Sequence, residues 1–135
     1  MSITDEEYKQ VIRDRIMGNT PSKSNCYKII TLKNKKTNKT YSSLGKTAAL
    51  KKYEDQFFIQ LKPENRNKNI SGYFEFHIDV FYPSQRADLD NSLKIVLDCL
   101  QKTNTIKNDN KCVKIVANKA LDKTNPRIEF KICEL

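Results

Sequence analysis

The most chemically loaded stretch of the 135-residue chain is Arg86-Ala87-Asp88-Leu89-Asp90-Asn91-Ser92-Leu93-Lys94. Asp88 and Asp90 are two residues apart, so an extended backbone turns both carboxylates to one side. Side by side they repel, and each raises the other's pKa unless a cation stands between them. A hard divalent cation such as Mg2+, with Mn2+ as a substitute, takes oxygen-only sites of this kind. Lys94 falls one helical turn after Asp90, where its charge could serve a phosphate on that cation. The competing reading of Asp90 is a plain helix cap that accepts from the amide of Ser92 or Leu93. Asn91 either orients a metal-bound water or is simply a first-turn residue, and Asp98 suits an exposed i,i+4 partner of Lys94. Asp109, in the polar stretch Ile106–Lys111, is either a turn residue between two asparagines or a third carboxylate ligand.

The charge distribution points to a polyanion. The chain carries a formal charge of +9. No acid occurs between Asp14 and Glu54, a stretch that holds Arg15, Lys23, Lys28, Lys33, Lys35, Lys36, Lys39, Lys46, Lys51 and Lys52. The remainder is near neutral. A one-sided basic segment on a balanced domain suits nucleic acid, although a lysine-rich face kept for solubility has the same composition.

Other chemistries find little support. Cys26, Cys99, Cys112 and Cys133 form no C-x-x-C pair, and His77 is the single histidine, so zinc-site spacing is missing. The cysteines read as reduced thiols of an intracellular protein, and His77 as structural. No apolar run reaches membrane-spanning length, and Met1–Gly18 lacks the pattern of a secretory signal.

One α/β domain of mixed type is expected: a mixed sheet of about four strands with two main helices packed on it. Thr4-Asp5-Glu6-Glu7 is a possible capping box for a short N-terminal helix, and Val11–Met17 fits either helix or strand. Cys26–Leu32 favours a strand, Lys33–Lys39 a basic turn, and Thr40-Tyr41 the start of a short strand. Leu50, Tyr53, Phe57, Phe58 and Leu61 fall at helical spacing within about Leu44–Leu61. Tyr73–Tyr82 alternates as a half-buried strand that Pro83 ends. Asp90 to about Lys102 is a helix with Leu93, Val96, Leu97 and Leu100 inward. Strands around Val113–Ala117 and Ile128–Ile132 complete the order.

At its acidic segment the sequence resembles the RusA-type Holliday junction resolvases, the crossover junction endodeoxyribonucleases. The signature R-x-D-L-D-N followed by a lysine stands here as Arg86, Asp88, Leu89, Asp90, Asn91 and Lys94. Asp109 matches the family's third aspartate, and Pro21, Ser22 and Asn25 its P-S-x-x-N loop. The basic stretch Lys33–Tyr41 follows in family order. The resemblance runs from about Thr20 to the C-terminus, leaving residues 1–18 as an N-terminal extension of a single domain. It implies a cytoplasmic, bacterial or phage-encoded, homodimeric nuclease that resolves four-way DNA junctions in recombination and repair. By that analogy Asp88, Asp90 and Asp109 hold Mg2+ and Lys94 assists. Lys23, Lys28, Lys33, Lys35, Lys36, Lys39, Lys46 and Arg86 grip DNA, with Asn25 and Asn91 in support. The rival readings are a non-catalytic nucleic-acid-binding protein and a nuclease of the same fold that cuts forks or flaps.

The third aspartate poses a topological problem. Asp88 and Asp90 follow one strand and Asp109 precedes the next, so parallel strands joined by a helix would put them at opposite ends of the sheet. Either the second strand runs antiparallel, or a symmetric dimer brings Asp109 of one chain to Asp88 and Asp90 of the other.

Overall fold

A computed structural model of the chain describes residues 7–21 and 26–135. Strand β1 (Gln10–Met17) is followed by β2 (Tyr27–Lys33), β3 (Thr40–Lys46), helix α1 (Ala48–Gln60), β4 (Phe74–Tyr82), helix α2 (Asp90–Lys102), β5 (Cys112–Leu121) and β6 (Arg127–Glu134). A four-stranded mixed sheet in the order β1-β6-β4-β5 carries the core, and β2 and β3 form a separate two-stranded ribbon. The expected single α+β domain is therefore present, with a different set of four strands in its sheet. The segment set apart as an extension supplies the edge strand β1, antiparallel to β6, and Cys26–Leu32 leaves the sheet for the ribbon. Most of the expected capping box lies outside the described residues.

Residue types explain the arrangement. In β4, Phe74, Phe76, Ile78, Val80 and Tyr82 are buried on one face, where Ile128, Phe130 and Ile132 of β6 join them, as alternation in a one-sided sheet requires. Helix α1 presses Phe57 onto that face, its ring stacked 6.2 Å from Phe130, and α2 adds Val96, Leu97 and Leu100. Thr47 caps α1 by accepting from the Leu50 amide at 3.3 Å, so the helix starts at Ala48 and Leu44 stays in β3. Phe58, one of the apolar residues at helical spacing, is 51 % exposed. It lies about 100° around the helix from buried Phe57 and packs under the Arg66 guanidinium, 4.5 Å from its ring centroid.

In β1 the buried positions are Ile12, Asp14 and Ile16. The Asp14 carboxylate accepts from the amides of Arg15 (2.8 Å) and Lys62 (2.9 Å) and from Asn65 Nδ2 (2.9 Å). A carboxylate so satisfied tolerates burial. It also ties β1 to the turn that follows α1.

Two connections position the site. After β4 the chain turns through Pro83–Leu89 into α2. After α2, Thr103–Lys107 runs along the loop before β4: Thr103, Asn104 and Thr105 carbonyls accept from the Asn67, Asn69 and Ile70 amides, and Lys107 donates back to Ile70. Asn67, Asn69 and Asn104 take left-handed φ values there, which asparagine tolerates better than most residues. Asp109 is thereby fixed at the start of β5. That strand is parallel to β4, with Phe74 opposite Cys112 and Tyr82 opposite Leu121.

An acid-sensitive contact links the ribbon to both helices. Glu54 of α1 pairs with Lys46 of β3 at 3.1 Å and with Lys102 of α2. Burial would raise the Glu54 pKa, but hydrogen bonds from Lys102 and Lys46 outweigh it and hold the carboxyl below its ordinary value of 4.5. Glu75 is likewise held low, its burial outweighed by bonds from His77 and Tyr8. A depressed carboxylate pKa gives stability that is fully present above the unfolded value and is lost as pH falls through the folded one. Urea midpoints are therefore expected to hold steady above the ordinary value of 4.5 and to fall below it. Glu54→Gln should shallow that acid limb, and a limb of unchanged slope would rule Glu54 out as a source of it.

Candidate active site and nucleic-acid interface

The acidic pair sits where β4 hands over to α2. Tyr82 ends the strand with its side chain buried. Its hydroxyl donates to the main-chain carbonyl of Asp88 (3.0 Å) and lies 2.6 Å from Ser92 Oγ. Burial raises the Tyr82 pKa, the Ser92 bond opposes this, and the charges of Asp90 and Asp88 add to the rise, so both carboxylates are close enough to be felt. Asp88 and Asp90 are exposed. The N-cap residue of α2 is Leu89, and no side chain caps the helix. The capping reading of Asp90 is therefore not realised. Neither the Asp88 nor the Asp90 carboxylate makes a hydrogen bond or ion pair with any described residue. Two exposed, unpartnered carboxylates offer only hard oxygen donors. That donor set fits Mg2+, which binds through one or two carboxylates and fills its shell with water and substrate phosphate oxygens.

Lys94 turns along the helix away from this pair. Its ammonium bonds Asp98 Oδ1 at 3.1 Å, the expected i,i+4 contact, and also the Asp109 carboxylate. Those bonds, Asp109 first and Asp98 second, raise the Lys94 pKa, so the ammonium stays charged at any pH near neutrality. Asp109 is not the turn-former of its segment. Asn108 takes that part, accepting from the Asn110 amide at 3.0 Å, while the Asp109 amide donates to Gln101 Oε1 at 3.0 Å. Among the described residues no three His, Cys, Asp or Glu side chains form a metal-holding group. The parallel pairing of β4 and β5 removes the antiparallel route to a three-carboxylate cluster. Within one chain, Asp109 meets Lys94 rather than Asp88 and Asp90.

The basic segment becomes the ribbon. Nearly all its side chains are exposed, including Ile29 (77 %) and Leu44 (72 %), which pair across the strands. Its turn is built by Asn34, whose side chain accepts from the amides of Lys36 (2.9 Å) and Thr37 (3.3 Å), with Asn38 in a left-handed conformation. Lys33, Lys35, Lys36 and Lys39 crowd this tip and Lys28 lies nearer the base, all exposed. Lys46 is committed to Glu54 at the foot. Arg86 is exposed within the acidic turn. Lys23 and Asn25 lie outside the described residues, as does the side chain of Asn91. One cation had no signal in the sequence. Lys119 of β5 lies opposite Val80 and donates to the Gln85 carbonyl at 2.9 Å, which clamps the acidic turn from the neighbouring strand. Only the strand register reveals it.

The thiols take no part in this chemistry. Cys26, Cys99 and Cys133 are buried and Cys112 is partly so. Burial, with Glu54 nearby, pushes the Cys99 pKa up to about 12, so it is not a nucleophile near neutrality.

A family model described as endodeoxyribonuclease RusA matches residues 27–133. The chain belongs to the RusA endodeoxyribonuclease family. The matched RusA region begins at the first residue of the ribbon and takes in the acidic turn, α2, Asp109 and both final strands. Strand β1 lies outside that RusA match yet completes the sheet. No curated protein sequence gives a significant match to the chain.

Proposed function

We propose that the protein is a divalent-metal-dependent endodeoxyribonuclease that cuts branched DNA, with the four-way junction of recombination and repair as its substrate. One observation carries this reading: Asp88 and Asp90 stand exposed at a strand-to-helix turn without serving as cap or ion pair. Carboxylates with no partner among the described residues, in a chain of charge +9, are accounted for by a cation and the phosphate it brings. These two residues would hold Mg2+ or Mn2+. When bound, the ion supplies an activated water and relieves charge on the phosphorane-like transition state. The Asp88 and Asp90 oxygens fix where it sits. Lys94, charged and anchored by Asp98 and Asp109 one helical turn on, lends positive potential to the scissile phosphate. Arg86, in the same turn, would bind a neighbouring phosphate, with Asn91 in support.

The ribbon would bind a duplex arm. A two-stranded β-ribbon fits the major groove, and lysines at its tip neutralise phosphates without reading sequence. Lys23 and Asn25, just before the ribbon, fall to the same interface. A four-way junction offers equivalent strands to a two-fold assembly, so a homodimer placing one site on each is the assembly proposed. No described helix is long and apolar enough to cross a membrane, and DNA as substrate suits the cytoplasm of a bacterium or phage-infected cell.

The test is cleavage of matched linear, forked and four-way DNA with Mg2+, with and without chelator. Chelator-sensitive cutting of the four-way substrate above the others supports the proposal. A preference for forks would reassign the substrate within the same fold, and binding that never leads to cutting would favour the non-catalytic reading. Affinity should also depend steeply on salt. Replacing Lys33, Lys35, Lys36 and Lys39 by alanine should flatten the log–log salt slope by about 0.9 for each phosphate that is no longer neutralised. An unchanged slope would show that these lysines only solvate the ribbon.

A further inference from the structure

Asp90 opens α2 and Asp88 stands just before its N-cap Leu89, yet the helix has no side-chain cap to fix where it begins. Helix starts ordinarily depend on such a cap. The order must come from elsewhere, and the Tyr82 hydroxyl supplies it. Tyr82 is only 2 % exposed, and Ser92 is buried beside it. A phenol has one proton, and a main-chain carbonyl can only accept. The 3.0 Å bond to the Asp88 carbonyl therefore takes the tyrosine proton. The 2.6 Å contact with Ser92 Oγ is then made by the serine proton, with the phenol oxygen accepting. The two contacts fall at Asp88 and at Ser92, so they bracket Asp90. A single hydroxyl at the end of a rigid central strand thus anchors the main chain at Asp88 and, through the Ser92 side chain, the chain just past Asp90.

We infer that Tyr82, relayed through Ser92, is a positioning residue for the acidic pair, fixing the main chain of Asp88 and Asp90 so that their carboxylates address one divalent cation. The inference rests on the reading of Asp88 and Asp90 as the pair that holds the metal. Packing alone does not account for the hydroxyls. Phenylalanine fills the same space, and replacing a buried hydrogen-bonded pair by apolar groups of like shape is often nearly neutral for stability. Groups that orient metal ligands from behind, by contrast, typically lower metal affinity when removed. Lys119 braces the same turn from outside, through the Gln85 carbonyl and over the Tyr82 ring at 5.9 Å.

The experiment measures Mn2+ binding to the DNA-free protein by electron paramagnetic resonance, alongside thermal unfolding and junction affinity in chelator. It compares the wild type with Tyr82→Phe, Ser92→Ala and Asp90→Asn. For Tyr82→Phe the dissociation constant for Mn2+ should rise about tenfold, with junction affinity unchanged and cleavage recovering as metal is raised to saturation. Ser92→Ala keeps the bond to Asp88 and loses the second anchor, so it should shift in the same direction by less. It stands as the deciding variant should Tyr82→Phe not fold. A variant with lowered melting temperature but wild-type Mn2+ affinity would overturn the inference and leave the hydroxyl a structural group. Loss of Mn2+ by Asp90→Asn with full retention by Tyr82→Phe and Ser92→Ala would sink the positioning role alone. Equal Mn2+ binding by wild type and Asp90→Asn would instead sink the metal reading of the acidic pair, and the inference with it.

Discussion

Asp90→Asn is expected to stop DNA cutting while leaving junction binding intact or tighter. The substitution keeps the shape of the side chain and removes one negative charge. Asp90 is exposed and neither caps α2 nor pairs with a cation among the described residues, so the change should barely affect folding, within the range usual for surface substitutions. A carboxylate that holds a catalytic cation is worth several kcal/mol to the transition state. A loss of about 4 kcal/mol corresponds to roughly a thousandfold in rate. Removing a negative charge that faces phosphates reduces repulsion, so affinity measured in chelator should be equal or higher. Gel-shift and single-turnover cleavage on one four-way substrate make the comparison. Wild-type cutting by Asp90→Asn with Mg2+ would overturn the metal assignment. A wild type that binds but never cuts would point to the non-catalytic reading.

The acidic pair was legible in the sequence because its signal is local. A strand ending at Tyr82, a two-residue spacing and a helix beginning at Asp90 follow from neighbouring residues. The fate of Asp90 at the helix start was not local. It depended on Leu89 adopting the N-cap place without a capping oxygen, and on Tyr82 holding the turn from below. Strand β1 was ambiguous for a similar reason. Asp14 occupies a core position between Ile12 and Ile16, and a buried carboxylate breaks the alternation that marks a strand. Its partners, the Lys62 amide and Asn65, lie about fifty residues away. The ribbon misled in the opposite sense. Cys26–Leu32 reads as a strand of the mixed sheet, yet among the described residues β2 pairs with β3 alone, with Ile29 and Leu32 exposed and Ile30 half-buried. Composition cannot distinguish an apolar strand held for the core from one held for a partner. The basic turn at the tip, set by Asn34 and Asn38, was the reliable part.

The fate of Asp109 turns on tertiary structure alone, and it yields the second large effect. Asp109→Asn should lower cutting about a hundredfold, and a mixture of Asp109→Asn with Asp90→Asn protein, after subunit exchange, should stay inactive. With β4 and β5 parallel, the Asp109 amide rests on Gln101, eleven residues along α2 from Asp90, or about 16 Å of helix rise. A ligand to the same ion needs its oxygen about 2 Å from the metal, so the single chain does not make Asp109 a third ligand. What it does make is an ion pair between Asp109 and Lys94, the residue one turn after Asp90, and it needs no second copy. On that geometry Asp109 acts through Lys94, fixing where its ammonium sits, and each chain needs both aspartates. In a mixed dimer each chain still carries one defect. The alternative, a site shared across a two-fold axis, makes the opposite forecast. One intact constellation would then form in every mixed dimer, and nicking would return. Lys94→Arg further separates the two: a longer cation that still pairs with Asp109 should retain part of the rate if Asp109 serves Lys94. If Asp109 instead serves the metal from the other chain, Lys94→Arg and Asp109→Asn should be independent, their losses multiplying in the double variant. Losses that fail to multiply would mark the two residues as one unit.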